Sequence, residues 1–187
     1  SNWIAKRVIE KRPSEAYRRG YELKLPGSGG KKRAEKITAR AEQLGVDSKL
    51  VRLAQYVRAY GGGALLPVLD GALGSWETPL DPDATITKVR ALHLFEPLQL
   101  QPVTYYTRLD DEKFGQPETY RFMPLVASRA AMSYGQVIHE SRLIISQGIQ
   151  VSQQTQPGQR EGWGDNEVSV TYEALRDYGL SWANATT

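Results

Sequence analysis

Three consecutive glycines, Gly61, Gly62 and Gly63, divide the chain into two parts with different hydrophobic patterns. Before them, residues 50–60 carry apolar side chains at the three- and four-residue spacing of a helix. After them, residues 64–69 form a continuous apolar run, which is typical of a strand buried on both faces. Because glycine has no Cβ, the chain can turn sharply here and pack closely against the helix. The glycines therefore predict a helix-to-strand junction.

Helical patterns dominate the part that precedes this junction. Apolar spacing, glycines and capping residues mark where each element begins and ends. A Gly-Ser-Gly-Gly segment at 27–30 lacks the following Lys-Ser/Thr of a phosphate-binding loop and is interpreted as a linker. We predict, in order, a helix over 1–12 that ends at Pro13, a strand over 17–25, a helix over 31–45, and a helix that ends at Tyr60 and is capped by Asp47 or Ser48.

Strand patterns dominate the part that follows the junction. The predicted elements are a strand over 64–69, a central strand over 89–95, paired strands over 103–108 and 118–123, a strand over 137–145, and a helix over 166–184. Helices followed by a mostly antiparallel sheet and a C-terminal helix indicate an α+β fold. We divide the chain into a basic helical segment at 1–60, a β-rich core at 61–148, and a loop and helix at 149–187. Both chain ends lie within helical patterns, so we expect a piece of a longer protein.

Charge is unevenly distributed along the sequence. Residues 1–60 hold 15 Lys/Arg and 6 Asp/Glu, whereas the remainder holds 9 and 15, which leaves the whole chain at +3. A basic segment can bind a polyanion such as DNA through its phosphates, without recognition of base sequence. It can also form a solvated outer face or pair with the acidic half of a neighbouring subunit. The candidate contact residues for nucleic acid or a subunit are Lys31, Lys32, Arg33, Lys36 and Arg40.

Residues suited to catalysis are sparse. The chain has no cysteine, two histidines and no Gly-x-Ser-x-Gly element. His139 and Ser141 match the His-x-Ser/Thr element of two-histidine phosphodiesterases, but His93 is followed by Leu94-Phe95 and lacks the hydroxyl that a second element needs. The acidic residues at 81–83 and 110–112 fit turn chemistry better than a metal site. We therefore predict no catalytic residue, no metal and no cofactor, and interpret His139 as structural.

Four segments in order resemble the portal proteins of tailed phages, in a branch described by a phage-associated domain of unknown function with an anti-CBASS-like N-terminal relative. The first is the junction that contains Gly61, Gly62 and Gly63. The others are Phe114-Gly115-Gln116-Pro117-Glu118-Thr119-Tyr120, then Ile138-His139-Glu140-Ser141-Arg142-Leu143-Ile144, and Gly162-Trp163-Gly164-Asp165-Asn166-Glu167. Asn166 stands where this family often has serine, and both residues can cap a helix. His139, Ser141, Arg142, Gly162, Trp163 and Gly164 are accordingly interpreted as structural motif residues.

The resemblance implies a structural subunit of a closed ring, a dodecamer in the particle, at one vertex of the phage head. Such a ring conducts DNA without sequence specificity during packaging and ejection. Its implied partners are the terminase large subunit, the capsid protein and head-tail adaptors. No contact with a membrane is expected. The given residues would correspond to the wing of the ring subunit and its approach to the stem. The protein would be located in the virion and, during assembly, in the host cytoplasm. The alternatives are a phosphodiesterase-type anti-defence enzyme and a generic nucleic-acid-binding module.

Overall fold

A computed structural model of the 187-residue chain describes residues 3–71, 73–124, 135–149, 162–169 and 176–177. Three helices come first: α1 is Trp3–Tyr17, α2 is Gly30–Leu44 and α3 is Val46–Tyr60. Helix α1 packs on α3, and α3 packs on both α2 and the first strand. The helical segment therefore contacts the β-structure through α3, the helix that runs directly into the glycines.

Helix α1 does not end at Pro13, as we predicted, but continues to Tyr17 with the proline inside it. Proline removes one backbone hydrogen bond and usually disfavours a helix interior. Here the side chain of Pro13 is buried, and α1 packs along α3. Tertiary packing thus outweighs the local cost of the proline.

Two further predictions in the helical segment are wrong. Residues 18–25 form turns and irregular structure instead of a strand, and residues 21–25 lie along α2. Helix α3 begins directly after Gly45, which ends α2 with its backbone in the left-handed region, and no side chain caps α3. The hydroxyl of Ser48 donates to the Gly45 carbonyl instead. One glycine suffices to connect the two helices.

Six strands of the described residues form two antiparallel sheets of three strands each. The first sheet has the order β2-β1-β6, and the second has the order β3-β4-β5. The strand bounds are Gly62–Gly71 for β1, Ile86–Phe95 for β2, Leu100–Tyr105 for β3, Pro117–Phe122 for β4, Val137–His139 for β5 and Ile144–Gln147 for β6. Short 3₁₀ turns precede β3 at Pro97–Gln99 and separate β5 from β6 at Glu140–Arg142.

Side chains from both sheets share one hydrophobic core. Tyr120 and Leu100 from the second sheet are fully buried, as is Ala64 from β1. Full burial of a large apolar side chain contributes about 1.5–3 kcal/mol relative to exposure. The buried members of this core are Ala64, Leu66, Leu100, Tyr120, Ile138, Leu143 and Trp163.

The α+β prediction is confirmed, and so is the antiparallel pairing of the two strands that flank residues 106–116. Two predictions about strands are wrong. The strand at 86–95 lies at the edge of its sheet, and β1 occupies the centre. The predicted strand over 137–145 is broken by the 3₁₀ turn, so its two ends belong to different sheets. Of the predicted helix over 166–184, residues 167–169 and 176–177 are helical, and the rest lies outside the described residues.

Candidate functional site

The 3₁₀ turn Glu140–Arg142 carries the chain from the second sheet to the first, and polar groups surround it. The backbone N–H of His139 donates to the carbonyl of Trp76 over 2.8 Å. Nδ1 of His139 accepts the backbone N–H of Ser141 at 3.1 Å and lies 2.9 Å from its Oγ. That Oγ accepts the backbone N–H of Leu80 at 2.8 Å. His139 and Ser141 thus connect the turn to the loop between β1 and β2.

The imidazole of His139 is held in its neutral form. Since a backbone N–H can only donate, Nδ1 carries no proton and the neutral ring carries it on Nε2. The side chain is 4% exposed. Burial lowers the pKa of His139 below its usual value, although the carboxylates of Glu140 and Glu118 act in the opposite direction. The ring therefore serves as a hydrogen-bond acceptor within the turn.

Arg142 holds the loop that joins β1 to β2. Its Nε donates to the carbonyl of Thr78 over 2.8 Å, and Nη2 donates to the carbonyl of Leu73 over 2.5 Å. The guanidinium carbon lies 5.9 Å from the ring centre of Trp76, a cation–π distance. Burial lowers the pKa of Arg142. A buried guanidinium on two carbonyls fixes the path of this loop.

Glu140 connects the same turn to the hairpin loop between β3 and β4. Its Oε1 accepts the hydroxyl of Tyr106 at 3.1 Å and the ammonium of Lys113 at 2.6 Å. Burial, followed by the charge of Glu140, raises the pKa of Tyr106 to about 12, so the hydroxyl keeps its proton and donates. The four residues His139–Arg142, called the His139 turn below, therefore hold two loops that are distant in sequence.

The glycines of the first and fourth resemblance segments meet in space. The carbonyl of Gly61 accepts the N–H groups of both Gly148 and Gly164, over 2.8 and 3.0 Å. Gly61 has φ +81°, and a Cβ there would collide with the Gly164 carbonyl oxygen. We call Gly61–Gly63, Gly148 and Gly162–Gly164 the glycine junction. Its backbones approach so closely that a side chain at Gly61 has no space.

Trp163 fills the centre of this junction. Its indole is 2% exposed and packs on Gly62, where a Cβ would collide with the ring. Nε1 donates to the carbonyl of Leu100 over 3.3 Å, and the ring centre lies 5.8 Å from that of Tyr120. One side chain thus contacts β1, β3 and β4.

Sequence reasoning missed Arg58, which joins three segments beside the glycine junction. Its Nε donates to the carbonyl of Val8 in α1 over 3.0 Å. Its two terminal nitrogens bind the two carboxylate oxygens of Glu167 over 2.6 and 2.5 Å. A cation in the last turn of a helix is expected for electrostatic reasons alone. Nothing in the sequence therefore distinguished Arg58 from the other arginines of the basic segment.

The five basic candidates on α2 have two kinds of surroundings. Arg40 donates to the Val89 carbonyl over 2.6 Å through Nη2 and also contacts the carbonyl of Arg90, so it binds α2 to the edge of β2. Arg33 donates to the carbonyl of Pro26 over 3.2 Å. The remaining three, Lys31, Lys32 and Lys36, are exposed. Their contact with nucleic acid or a subunit stays a prediction.

The two histidines lie on different sheets. His93 is exposed on β2 opposite Leu66, whereas His139 is buried at the end of β5. Asp81 and Asp83 lie in one loop and the acidic residues 110–112 in another, and the side chain of Asp81 accepts the backbone N–H of Asp83 within its turn. Across the described ranges, no group of three potential ligands could hold a metal ion. The polar groups of the His139 turn bind backbone and neighbouring side chains.

Comparison with known protein families identifies the family of this chain. A family model described as phage portal protein matches residues 1–186. The chain belongs to the phage portal protein family. A search of curated protein sequences finds no match.

As a portal protein, the chain has a structural role in the phage particle, at its head and as part of an oligomer. The first, third and fourth segments that carried the resemblance lie in or beside the glycine junction and the His139 turn, whereas residues 114–120 belong to the β3–β4 hairpin. Within the described ranges, no helix has the length and apolar character needed to cross a bilayer.

Proposed function

We propose that this portal protein forms a closed ring, a dodecamer in the particle, that serves as the DNA conduit at one vertex of the head. The ring takes part in genome packaging and ejection and forms the head-tail junction. In this proposal residues 1–60 pack on the wing, residues 61–148 form its core, and residues 149–187 lead toward the stem. The single observation that carries the proposal is the family match over residues 1–186.

The contacts within the site support a rigid structural unit. In the His139 turn, each of the four side chains holds a neighbouring segment or an atom of the turn itself. An enzyme of the two-histidine type needs two facing acid-base elements, whereas Nδ1 of His139 is already bonded to Ser141 and His93 is on another sheet. These features favour a role in packing within the subunit.

The proposed partners are further copies of the chain, the terminase large subunit, the capsid protein, head-tail adaptors and DNA. Contact with DNA in a channel requires positive charge without base recognition, because every sequence must pass. The exposed ammonium groups of Lys31, Lys32 and Lys36 have that character. They are equally suited to an acidic surface of a neighbouring subunit.

Electron microscopy of the full-length protein tests the proposal. We expect closed rings with a central channel, and particles that remain monomeric at every concentration and salt condition would contradict it. Hydrolysis of cyclic nucleotides by the wild-type protein that is lost in His139→Ala, with the fold intact, would favour the phosphodiesterase. Tight DNA binding by the isolated chain with a steep salt dependence would favour a nucleic-acid-binding module.

A further inference from the structure

The tip of the β3–β4 hairpin, residues 107–114, presents apolar side chains to solvent. Leu109 is 85% exposed, more than any other large hydrophobic residue of the described ranges, and Phe114 is 51% exposed. Asp110, Asp111 and Glu112 lie between them. The hairpin tip thus has two exposed apolar residues with three acidic residues between them, and with Arg108 and Lys113 its net charge is −1, since three negative charges exceed two positive ones.

Hydrogen bonds fix the shape of the hairpin tip. Arg108 binds both carboxylate oxygens of Asp110, over 3.1 and 2.7 Å. The side chain of Asp111 accepts the backbone N–H of Lys113 at 2.8 Å, and its carbonyl accepts that of Phe114 at 3.0 Å. A loop ordered in this way loses little entropy on docking. The exposure of Leu109 is therefore a property of a defined conformation.

A cleft of complementary character lies between α2 and β2. Its volume is about 510 Å³, and it is lined by Arg40, Gln43 and residues 86–89. Ile86 is 48% exposed, and Arg40 and Lys88 supply positive charge. Asp70, which lies close to Lys88, is bound to Arg90. The α2–β2 cleft therefore has the exposed Ile86 in the same lining as two cations, of which Lys88 also interacts with the carboxylate of Asp70.

We infer that the hairpin tip of one copy docks in the α2–β2 cleft of the next copy, with Leu109 against Ile86 and Glu112 near Lys88. This inference rests on the proposed ring. The two surfaces belong to different elements of one chain, so their contact is head-to-tail and can be repeated around a ring. The opposite charges of Glu112 and Lys88, beside the apolar side chains of Leu109 and Ile86, favour contact between a tip and a cleft. Contact between two tips is disfavoured because their carboxylates would repel each other.

Cysteine cross-linking tests the contact directly, because residues 1–187 contain no cysteine and any cysteine elsewhere in the full-length protein can first be replaced by serine. A full-length Leu109→Cys protein is mixed with an Ile86→Cys protein under mild oxidation. We expect a disulfide-linked pair at a yield roughly tenfold above that of Leu109→Cys mixed with Leu98→Cys. Leu98 is a matched control because it is an exposed leucine, at 57%, outside both surfaces. Equal yields in the two mixtures would overturn the inference.

Charge exchange provides a second, independent measurement. Lys88→Glu and Glu112→Lys are each expected to weaken association of the full-length protein about tenfold at low salt, and the double variant is expected to restore it. Arg40 is left unchanged because it holds the edge of β2. If neither single variant changes association, the docking is wrong.

The ring and the docking fail in distinguishable ways. Rings in electron micrographs without the specific cross-link would reject the docking and leave the proposed function intact. Absence of any oligomer in the full-length protein would reject both. A dominant Leu109–Leu109 cross-link would show contact between two tips and would also reject the docking.

Discussion

The glycine junction and the His139 turn both connect the two sheets, but they do so by opposite means. At the junction, the backbone of Gly61 approaches Gly148 and Gly164 because these residues have no side chains. At the turn, Glu140 and Arg142 reach out to loops through long polar side chains. The close packing of the glycine junction therefore depends on the absence of side chains, whereas the contacts of the His139 turn depend on long polar side chains.

This difference implies a difference in tolerance. An added methyl group at a close-packed backbone has to displace main chain, which costs more than a lost hydrogen bond at a partly exposed loop. We accordingly expect substitutions in the glycine junction to destabilise the whole protein, whereas those in the His139 turn release individual loops.

Gly61→Ala is expected to have the largest effect. Its Cβ would collide with the Gly164 carbonyl oxygen, and its φ of +81° disfavours alanine. We expect a loss of more than about 4 kcal/mol in the free energy of unfolding, measured by urea denaturation. Gly115→Ala is the matched control, because Gly115 has φ +78° but nothing within 4 Å of an added Cβ. It should cost about 1–2 kcal/mol. Equal losses would refute the close-approach explanation.

Trp163→Ala is expected to lower the free energy of unfolding by about 3–5 kcal/mol, because it opens a cavity beside Gly62 and Tyr120. Thermal or urea denaturation measures this loss. Trp3→Ala removes the same side chain at a position that is 67% exposed, and it should change stability by less than about 0.5 kcal/mol. A small loss for Trp163→Ala would mean that the junction is not part of the core.

Arg142→Met is expected to cost about 1–3 kcal/mol, because it removes the donors to Thr78 and Leu73. The effect should be local: hydrogen exchange in residues 73–80 should accelerate, with little change in α3. The control Arg108→Met removes an exposed ion pair with Asp110 and should cost about 0–1 kcal/mol. Unchanged exchange in the loop would show that Arg142 does not hold it.

For His139→Asn, the fourth prediction concerns the pH dependence of stability and not its value at one pH. Burial lowers the pKa of His139 in the folded protein, so the unfolded chain binds the proton more tightly. The stability that neutral His139 contributes is fully present above about pH 6.5, the pKa of histidine in the unfolded chain. It is lost as the pH falls toward the pKa in the folded protein. Asparagine keeps an acceptor for the Ser141 N–H but does not titrate. The melting temperature of the variant should fall less between pH 7.5 and 5.5 than that of the wild type, and an equal fall would show that His139 does not cause the pH dependence.

Local patterns predicted much of the fold. The spacing of apolar residues located α2 and α3, and the glycines located the change to β-structure at Gly62. Alternation located the hairpin whose second strand begins at Pro117. The errors arose where a neighbour decides the outcome. Pro13 remains helical because α1 packs on α3, and β2 is an edge strand because β6, far along the chain, takes the other side of β1.

Sequence reasoning named residues of the His139 turn but did not predict how they are connected. Sequence reasoning selected His139, Ser141 and Arg142, yet it treated the surrounding residues as one continuous strand. A 3₁₀ turn of three residues gives no periodic signal, so the change of sheet at 140–142 could not be detected. The exposed Leu109 likewise appears in sequence as an ordinary loop residue.

The sequence alone determined the α+β class, the helix-to-strand junction and the uneven charge, because spacing, glycine and side-chain charge act over a few residues. Only the tertiary structure decided that Gly61 lies against Gly164, that Arg58 binds Glu167, and that the His139 turn holds two loops. Each of these contacts joins residues tens of positions apart. Their energies depend on distance and burial, which no local pattern encodes.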